Sequence, residues 1–176
     1  MNLTTRFAGL ELPHPFICGA SPLSDAVEGA RRLEDAGIAA ITLRSLFEEQ
    51  IEAEALATHD HALAHADSFG EATSYLPDPD AFVLGPDQYL RHLESLKQQL
   101  EIPVIASLNG NTSTGWTSYA RSMQDAGADA IELNLHLVVT DPDVSGAEVE
   151  ERSIDVVRAV AGTVTVPVVA KISATY

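Results

Sequence analysis

Apolar and polar residues alternate strictly along the run from Ala130 to Leu137. The aliphatic positions are Ile131, Leu133, Leu135 and Leu137, and the positions between them are Ala130, Glu132, Asn134 and His136. A period of two is typical of a β-strand, because successive side chains point to opposite faces of a pleated backbone. Strands of α/β folds are normally buried on both faces, so the polar face needs hydrogen-bond partners, and a ligand is one source of them.

The pattern of apolar and polar residues predicts an alternating series of strands and helices along the chain. Strands are predicted at 15–20, 39–46, 103–108, 130–138 and 167–173, and helices at 24–36, 86–100, 114–126 and 147–161. The first helix is expected to begin at an N-cap formed by Ser24 and Asp25, since both side chains accept hydrogen bonds from free backbone N–H groups.

Two segments stand outside this series. Residues 1–14 predict an N-terminal hairpin whose turn lies near Ala8 and Gly9. Residues 47–84 predict an excursion from the main fold between the second strand and the next helix, of the kind that often forms a lid or an interface.

A hidden repeat supports the alternation. Residues 34–43 match residues 124–133, so that the second and fourth strands each follow an Asp-Ala-Gly sequence. Residues 102–106 match residues 166–170, so that the third and fifth strands each follow a proline. Such a series predicts parallel strands, in an open sheet or in a (β/α) barrel. A closed eight-fold barrel typically needs ~250 residues, so residues 1–176 are expected to form a single, partial barrel domain.

Composition and charge limit the classes of binding partner that we expect. The chain has 176 residues with 45% hydrophobic content, enough for one sizeable core, and a net charge of -16. An acidic protein of this kind is not expected to bind nucleic acid or an anionic membrane, because both require basic patches. The single cysteine, Cys18, allows no internal disulfide, and no apolar run has signal-peptide or membrane-span length. We therefore expect a cytoplasmic protein.

Polar side chains gather at the carboxyl ends of the predicted strands, where parallel α/β folds place their sites. They are Ser21, Arg44, Ser107, Asn109, Asn134, His136, Lys171 and Ser173. Strand ends also tolerate polarity because they lie nearer to solvent, which is the structural alternative for any one of these residues. Amide and cationic groups that face one mouth are suited to a planar, electron-rich heterocycle. Lysine and asparagine donors near the pyrimidine edge of a flavin would favour its reduced, anionic form.

Several motifs, taken in this order, resemble the dihydroorotate dehydrogenase-like FMN flavoproteins, and most closely a divergent branch of that family. The motifs are Leu10 to Pro15, Ala20-Ser-Pro, Ser45-Leu-Phe-Glu-Glu-Gln50, Ser107-Leu-Asn-Gly110, Glu132-Leu-Asn134, Asp141-Pro-Asp-Val-Ser-Gly-Ala-Glu148 and Pro167-Val-Val-Ala-Lys171. The resemblance covers essentially the whole chain, and only the N-terminal part of the family domain. It implies a (β/α)8 TIM barrel of the FMN-linked oxidoreductase type, here truncated to about five strands and four helices.

The resemblance also implies a function in pyrimidine metabolism. In the family, FMN takes a hydride from a CH–CH group of a dihydropyrimidine while a cysteine or serine base removes the neighbouring proton. Lys171 matches the fifth-strand lysine that contacts FMN, and Asn134 matches the fourth-strand asparagine near FMN and substrate. The remaining predicted cofactor contacts are Ala20, Ser21, Arg44, Ser107 and Asn109.

The chain departs from the family pattern where the base should stand. The family sequence Asn-x-Ser-Cys-Pro-Asn or Asn-x-Ser-Ser-Pro-Asn is replaced by Asn134-Leu-His-Leu-Val-Val139, so Leu137 occupies the position of the base. Leucine cannot move a proton. His136 lies two residues after Asn134, on the same strand face, and is the hypothetical substitute base because its unperturbed pKa suits proton transfer. Arg44 stands at the usual second-strand lysine.

The missing barrel strands leave alternatives open. Barrels of this type commonly bind the cofactor phosphate with loops after strands seven and eight, and a partial barrel would leave Lys171 near an open sheet edge. The barrel would then be completed by a homo-oligomer or by a complementing C-terminal half-barrel chain. The rival function is a catalytically inactive half-barrel fragment or interaction module that has lost FMN and the catalytic base.

Two further signals are given a structural interpretation. The group formed by His59, Asp60, His61 and His65 has metal-binding residue types, but nothing fixes a third ligand, so a solvated helix face is favoured and no metal is predicted. Cys18 lies among apolar neighbours and is predicted to be a core residue.

Overall fold

The computed structural model describes residues 2–49, 86–110, 112–136 and 139–173. Most of the predicted excursion at 47–84 lies outside these residues, as do the histidine group at 59–65 and Leu137. The predicted excursion and the interpretation of that histidine group therefore stay predictions.

The described residues form a small hairpin and a parallel sheet flanked by helices. Strands β1 (Thr5–Phe7) and β2 (Leu10–Leu12) pair antiparallel, and five strands pair in parallel in the order β3-β4-β5-β6-β7. These five are β3 (Ile17–Cys18), β4 (Ala40–Phe47), β5 (Val104–Asn109), β6 (Ala130–Asn134) and β7 (Val168–Lys171). The helices are α1 (Val27–Asp35), α2 (Pro86–Gln99), α3 (Ser113–Asp125) and α4 (Gly146–Ala161), with a short 3-10 helix at Pro22–Ser24.

The two faces of the parallel sheet are covered differently. The outer face carries the main core, in which strand residues such as Ile41, Leu108 and Leu133 pack with residues of the helices, among them Leu93 and Met123. The inner face is closed at the amino ends of the strands by the hairpin. There Leu10 and Leu12 pack with Ile17, Ala40, Ile105 and Ala130. The inner face at the carboxyl ends is left to polar side chains, and that is where the candidate site lies.

The helix starts differ in part from the prediction. The predicted N-cap at Ser24 and Asp25 is wrong: α1 begins at Val27, and its N-cap Ala26 makes no side-chain hydrogen bond. Ser21 instead caps the 3-10 helix, where its side chain accepts a hydrogen bond from the Leu23 backbone. The extra 3-10 turn delays α1 by a few residues and leaves the Asp25 carboxylate to bind another group.

The hairpin turn provides a first prediction about stability. Ala8 and Gly9 both have positive φ, 48° and 81°, as a two-residue type I′ turn requires. Alanine at such a φ brings its Cβ close to the following carbonyl, at a cost of roughly 1–2 kcal/mol. We expect Ala8→Asn to raise the free energy of unfolding by about 0.5–1 kcal/mol, since asparagine tolerates this conformation. Urea unfolding checks this, with Ala36→Asn, at a residue of negative φ (-74°), as the control that should give no gain.

Candidate functional site

Four side chains on neighbouring strands form one hydrogen-bonded group at the carboxyl ends of the sheet. The Ser45 and Ser107 hydroxyls lie 2.8 Å apart, and the Ser107 hydroxyl donates to Glu132 Oε1 at 3.2 Å. Lys171 Nζ donates to the same Glu132 oxygen at 2.9 Å. Together with Asn134 these residues are called the mouth cluster below. They span β4, β5, β6 and β7, so the sheet itself brings together residues far apart in sequence.

A register shift in β4 decides which residues face the cluster. Thr42 pairs with Ile105, whereas Ser45 pairs with Ser107, so β4 carries one extra residue between these two pairs. The bulge turns Ser45 toward the mouth cluster. Arg44 is displaced from it.

Among the described residues, Arg44 makes no bond to the mouth cluster and is paired with Asp25 instead. Strict alternation along β4 would place Arg44 on the inner face, but alternation fails across a bulge. The Arg44 side chain is half exposed, and its Nε binds the Asp25 carboxylate at 2.8 Å. Its predicted role as a cofactor contact stays a prediction.

The hydroxyl of Tyr89 on α2 bonds to the backbone of β5 at Ser107. The Ser107 backbone N–H donates to the Tyr89 hydroxyl at 2.9 Å, and that hydroxyl donates to the Ser107 carbonyl at 3.3 Å. Tyr89 thus ties α2 to β5 at the residue that is in register with Ser45 of β4.

Burial raises the pKa of the Tyr89 hydroxyl well above its ordinary value. The backbone hydrogen bond from Ser107 lowers that pKa by less, and the nearby Glu132 charge adds a smaller rise. The hydroxyl is consequently protonated across the physiological range, so it can act as donor and acceptor to Ser107 together.

Asn134 carries the observation that most directly indicates a ligand. Asn134 on β6 is in register with Lys171 on β7. Its Oδ1 is buried and has no hydrogen-bond partner among the described residues. A buried acceptor without a donor costs roughly 1–3 kcal/mol, so a group that donates a hydrogen bond there would be favoured. The Lys171 side chain beside it is 40% exposed, and its ammonium has donors left after the bond to Glu132.

The other predicted site residues lie at the same sheet end but outside the hydrogen-bonded group. Asn109 ends β5 and is partly buried, in register with Phe47. Ala20 is exposed, and Ser21 is partly buried with its side chain engaged in the 3-10 cap. His136 is exposed, in the segment after β6. The structure thus brings together Ser107, Asn134 and Lys171, and leaves the other four at the same sheet end.

Two members of the mouth cluster, Glu132 and Ser45, are not among the site residues predicted from the sequence. Glu132 has the same alternation signal as Asn134, since both occupy the polar face of β6, and it could have been found. Ser45 could not, because the bulge that turns it inward has no clear signature in the sequence of β4.

A second feature is an apolar groove at the open edge of the sheet. It has a volume of about 450 Å³ and is lined mainly by Leu135, Ile154, Val157, Ala170 and Ile172. Ile154 and Ile172 are 48% and 54% exposed. The groove lies between α4 and β7, the last strand of the sheet, where a further barrel strand and helix would pack.

Neither a metal site nor a membrane span is seen in the described part of the chain. Within residues 2–49, 86–110, 112–136 and 139–173, no three histidine, cysteine or acidic side chains are grouped to hold a metal ion. No helix in these ranges combines the length and apolar character needed to cross a bilayer.

Comparison with curated proteins confirms the resemblance to the dihydroorotate dehydrogenase-like proteins at the level of sequence similarity. Over 182 residues the chain is 28% identical to the NAD-dependent dihydropyrimidine dehydrogenase subunit PreA of Escherichia coli, covering 98% of this chain and 42% of that protein. Over 177 residues it is 27% identical to the catalytic subunit of dihydroorotate dehydrogenase B (NAD(+)) of Thermoplasma acidophilum, covering 98% and 54%. The chain spans about half the length of these relatives. No protein-family model matches it.

Solved structures identify the fold as part of a (β/α) barrel and correct its predicted type. A dihydrodipicolinate synthase of Bacillus anthracis superposes with a TM-score of 0.51 at 14% identity, covering 88% of this chain and 44% of that one. A phosphonopyruvate hydrolase gives 0.50 at 18% identity, covering 88% and 46%. At these identities the likeness shows the fold alone.

The prediction of an FMN-linked oxidoreductase type of barrel is wrong, because the barrels that match are of other types. The described residues form a half-barrel of five parallel strands. The first half of a (β/α) barrel is built from aliphatic strands and amphipathic helices that many barrel families share. In many barrels the loops after the seventh and eighth barrel strands bind phosphate. The five barrel strands described here, β3 to β7, do not include those positions.

Proposed function

We propose that the chain takes part in an FMN-dependent oxidoreductase reaction resembling that of dihydroorotate dehydrogenase. The observation that carries the proposal is the buried Asn134 Oδ1, which has no hydrogen-bond partner among the described residues, beside the partly exposed side chain of Lys171. The names of the similar proteins support the reaction class, since they are dihydroorotate and dihydropyrimidine dehydrogenases. The substrate proposed is a small dihydropyrimidine-like molecule, and no nucleic acid or membrane is proposed as a partner.

The donor and acceptor groups of the mouth cluster suit the edge of a flavin ring. Asn134 Oδ1 would accept from a ring N–H, and the Lys171 ammonium would donate to a ring carbonyl or nitrogen. The Ser107 hydroxyl is already bonded to Ser45 and Glu132, so we assign it a supporting role. Ala20, Ser21 and Asn109 are proposed as outer contacts at the same sheet end.

The chemistry divides between cofactor and protein. When bound, FMN supplies the two-electron acceptor for a hydride from a CH–CH group of the substrate. Lys171 supplies positive charge where negative charge would develop, and Asn134 orients the ring plane. His136 is proposed as the group that takes the neighbouring proton. It is exposed and lies two residues beyond the end of β6, and we propose that it reaches a molecule bound above the mouth cluster.

The test is a titration of the chain with FMN, followed by flavin fluorescence. We expect saturable quenching at micromolar FMN, and a rise in Kd of about tenfold in Lys171→Gln, the size expected for losing one hydrogen bond from a charged donor. Arg32→Gln is the matched control, because it removes one positive charge from an exposed ion pair with Glu28 on α1. Equal affinity in wild type and Lys171→Gln would contradict the assignment of this site.

The second candidate function, an inactive half-barrel that serves as an interaction module, is favoured by the apolar groove between α4 and β7. Absence of FMN binding, combined with a mass that rises with protein concentration, would support this function over the enzyme. The predicted partners, a second copy of the chain or a complementing C-terminal half-barrel, remain proposals that the same mass measurement separates. Self-association requires only the purified chain, whereas a complementing chain leaves it monomeric.

A further inference from the structure

We infer that Glu132 is a positioning residue that holds the Lys171 ammonium in place for the ligand of the mouth cluster. This inference rests on the proposed function, since it concerns how Lys171 meets FMN. It adds a residue that the sequence did not place in the site.

The contact between the two side chains crosses the sheet diagonally. Asn134 is the register partner of Lys171, whereas Glu132 is the partner of Val169. Lys171 therefore reaches back along β6 by two residues to bring Nζ within 2.9 Å of Glu132 Oε1. The lysine stem is thereby drawn over the polar face of β6, beside Asn134, instead of extending into solvent from the open edge.

Glu132 can hold Lys171 because Glu132 is itself fixed. Its Oε1 also accepts a hydrogen bond from the Ser107 hydroxyl at 3.2 Å, and that hydroxyl lies 2.8 Å from the Ser45 hydroxyl. Ser107 is fully buried, and the Tyr89 hydroxyl bonds to both its backbone N–H and its carbonyl. The carboxylate is thus anchored through β5 to the core, and only 16% of its side chain is exposed.

Such an arrangement prepares the site for a ligand. A lysine side chain has large rotamer freedom, and a ligand that had to order it would bind more weakly. Glu132 orders it beforehand and uses one of its three N–H donors, which leaves two for the ligand. It also neutralises the ammonium at this edge of the sheet, so the free chain does not hold an isolated charge there.

A purely structural ion pair would behave differently in experiments. Because 40% of the Lys171 side chain is exposed, solvent screens the pair and its contribution to folding is expected to be small. A positioning role instead affects ligand affinity, and it does so only while the lysine is present.

A double-mutant cycle on FMN affinity tests this distinction. The proteins are wild type, Glu132→Gln, Lys171→Gln and the double variant, each titrated with FMN and each checked by urea unfolding. Glutamine keeps an oxygen that accepts from Ser107 while losing the charge that holds the ammonium. We expect Glu132→Gln to raise the Kd about fivefold in the wild-type background, as part of the lysine's rotamer freedom returns, and to have no effect in the Lys171→Gln background. Glu28→Gln, on the exposed face of α1, is the matched charge control.

The outcomes separate the inference from the proposed function. An equal rise in Kd in both backgrounds would mean that Glu132 acts directly or through general structure, and would overturn the inference while leaving the FMN site intact. Tighter binding in Glu132→Gln would mean that Glu132 competes with the ligand for Lys171, and would also overturn it. A wild-type chain that binds no FMN would overturn the proposed function, and this inference with it.

Discussion

Replacing Gly115 by alanine is expected to lower the free energy of unfolding by about 2–3 kcal/mol. A Cβ at this position would overlap the Glu48 carboxylate, which packs directly against the glycine at the start of α3. Glu48 is only 4% exposed, and its two oxygens accept hydrogen bonds from the Thr112 backbone at 2.8 Å and the Thr112 hydroxyl at 2.6 Å. Moving the carboxylate would break bonds to a buried charge, and overpacking alone typically costs 1–3 kcal/mol.

The same contact joins the end of β4 to the N-terminus of α3. Thr112 caps the helix by accepting from the Gly115 backbone at 2.9 Å, while its own hydroxyl donates to Glu48. The N-terminus of a helix carries partial positive charge, which is a further reason for the Glu48 carboxylate to lie there. The substitution should therefore loosen the loop beside the mouth cluster as well as destabilise the chain.

Gly146→Ala is the matched control for this prediction. Gly146 also lies in the first turn of a helix, α4, but a Cβ there would meet no atom within 4 Å. That variant is expected to be as stable as wild type or slightly more stable, because alanine favours helix over glycine. Urea unfolding of both variants gives the comparison, and equal stabilities would show that Glu48 can move without loss.

Alternation of polar and apolar residues predicted which residues share a face of the sheet wherever the strand is regular. Strand β6 follows a strict period of two, and the structure does place Glu132 and Asn134 on one face, with Ile131 and Leu133 in the main core. The same rule failed in β4, because one extra residue reverses the alternation after Leu43. A bulge depends on how two strands pair, and pairing geometry is not contained in the sequence of either strand alone.

The type of barrel could not be predicted from the sequence for a related reason. The Asp-Ala-Gly and proline repeats predicted parallel order, and the part of the chain that the structure describes has five parallel strands in chain order. What distinguishes barrel families is the arrangement of loops and late strands, and only about half the length of the similar proteins is present in this chain. Local patterns thus settled the architecture and left the family of the barrel undetermined.

Tyr89 shows the same limit for a side chain. At helical spacing on α2, Tyr89 resembled any other core residue, since its ring lies among Leu93 and Leu96 in the packed face. Its hydroxyl bonds to the Ser107 backbone of β5, a contact that the sequence of α2 does not show. A buried tyrosine usually finds a hydrogen-bond partner, but the sequence does not say which.

Tyr89→Phe is expected to destabilise the chain by about 2–3 kcal/mol. Phenylalanine fills the same space but removes the hydroxyl that bonds to the buried N–H and C=O groups of Ser107, and a lost bond to a buried polar group costs roughly 1–3 kcal/mol. The measurement is urea unfolding at pH 8. Because Ser107 also supports Glu132, the variant should in addition weaken any binding that depends on Lys171.

The difference in unfolding free energy between wild type and Tyr89→Phe should depend on pH, and this dependence tests whether the buried hydroxyl causes it. Burial raises the pKa of Tyr89 in the folded chain, so the unfolded chain releases the hydroxyl proton first, near pH 10. The stabilisation from the buried neutral hydroxyl is therefore complete below pH 10 and falls as the pH rises above it, by up to about 1.4 kcal/mol per pH unit. Tyr89→Phe lacks this proton, so the gap in unfolding free energy between wild type and variant should narrow between pH 10 and 11. A gap that stays constant over this range would mean that the hydroxyl ionises as easily in the folded chain as in the unfolded one, and that the bulge beside Ser107 is open to water.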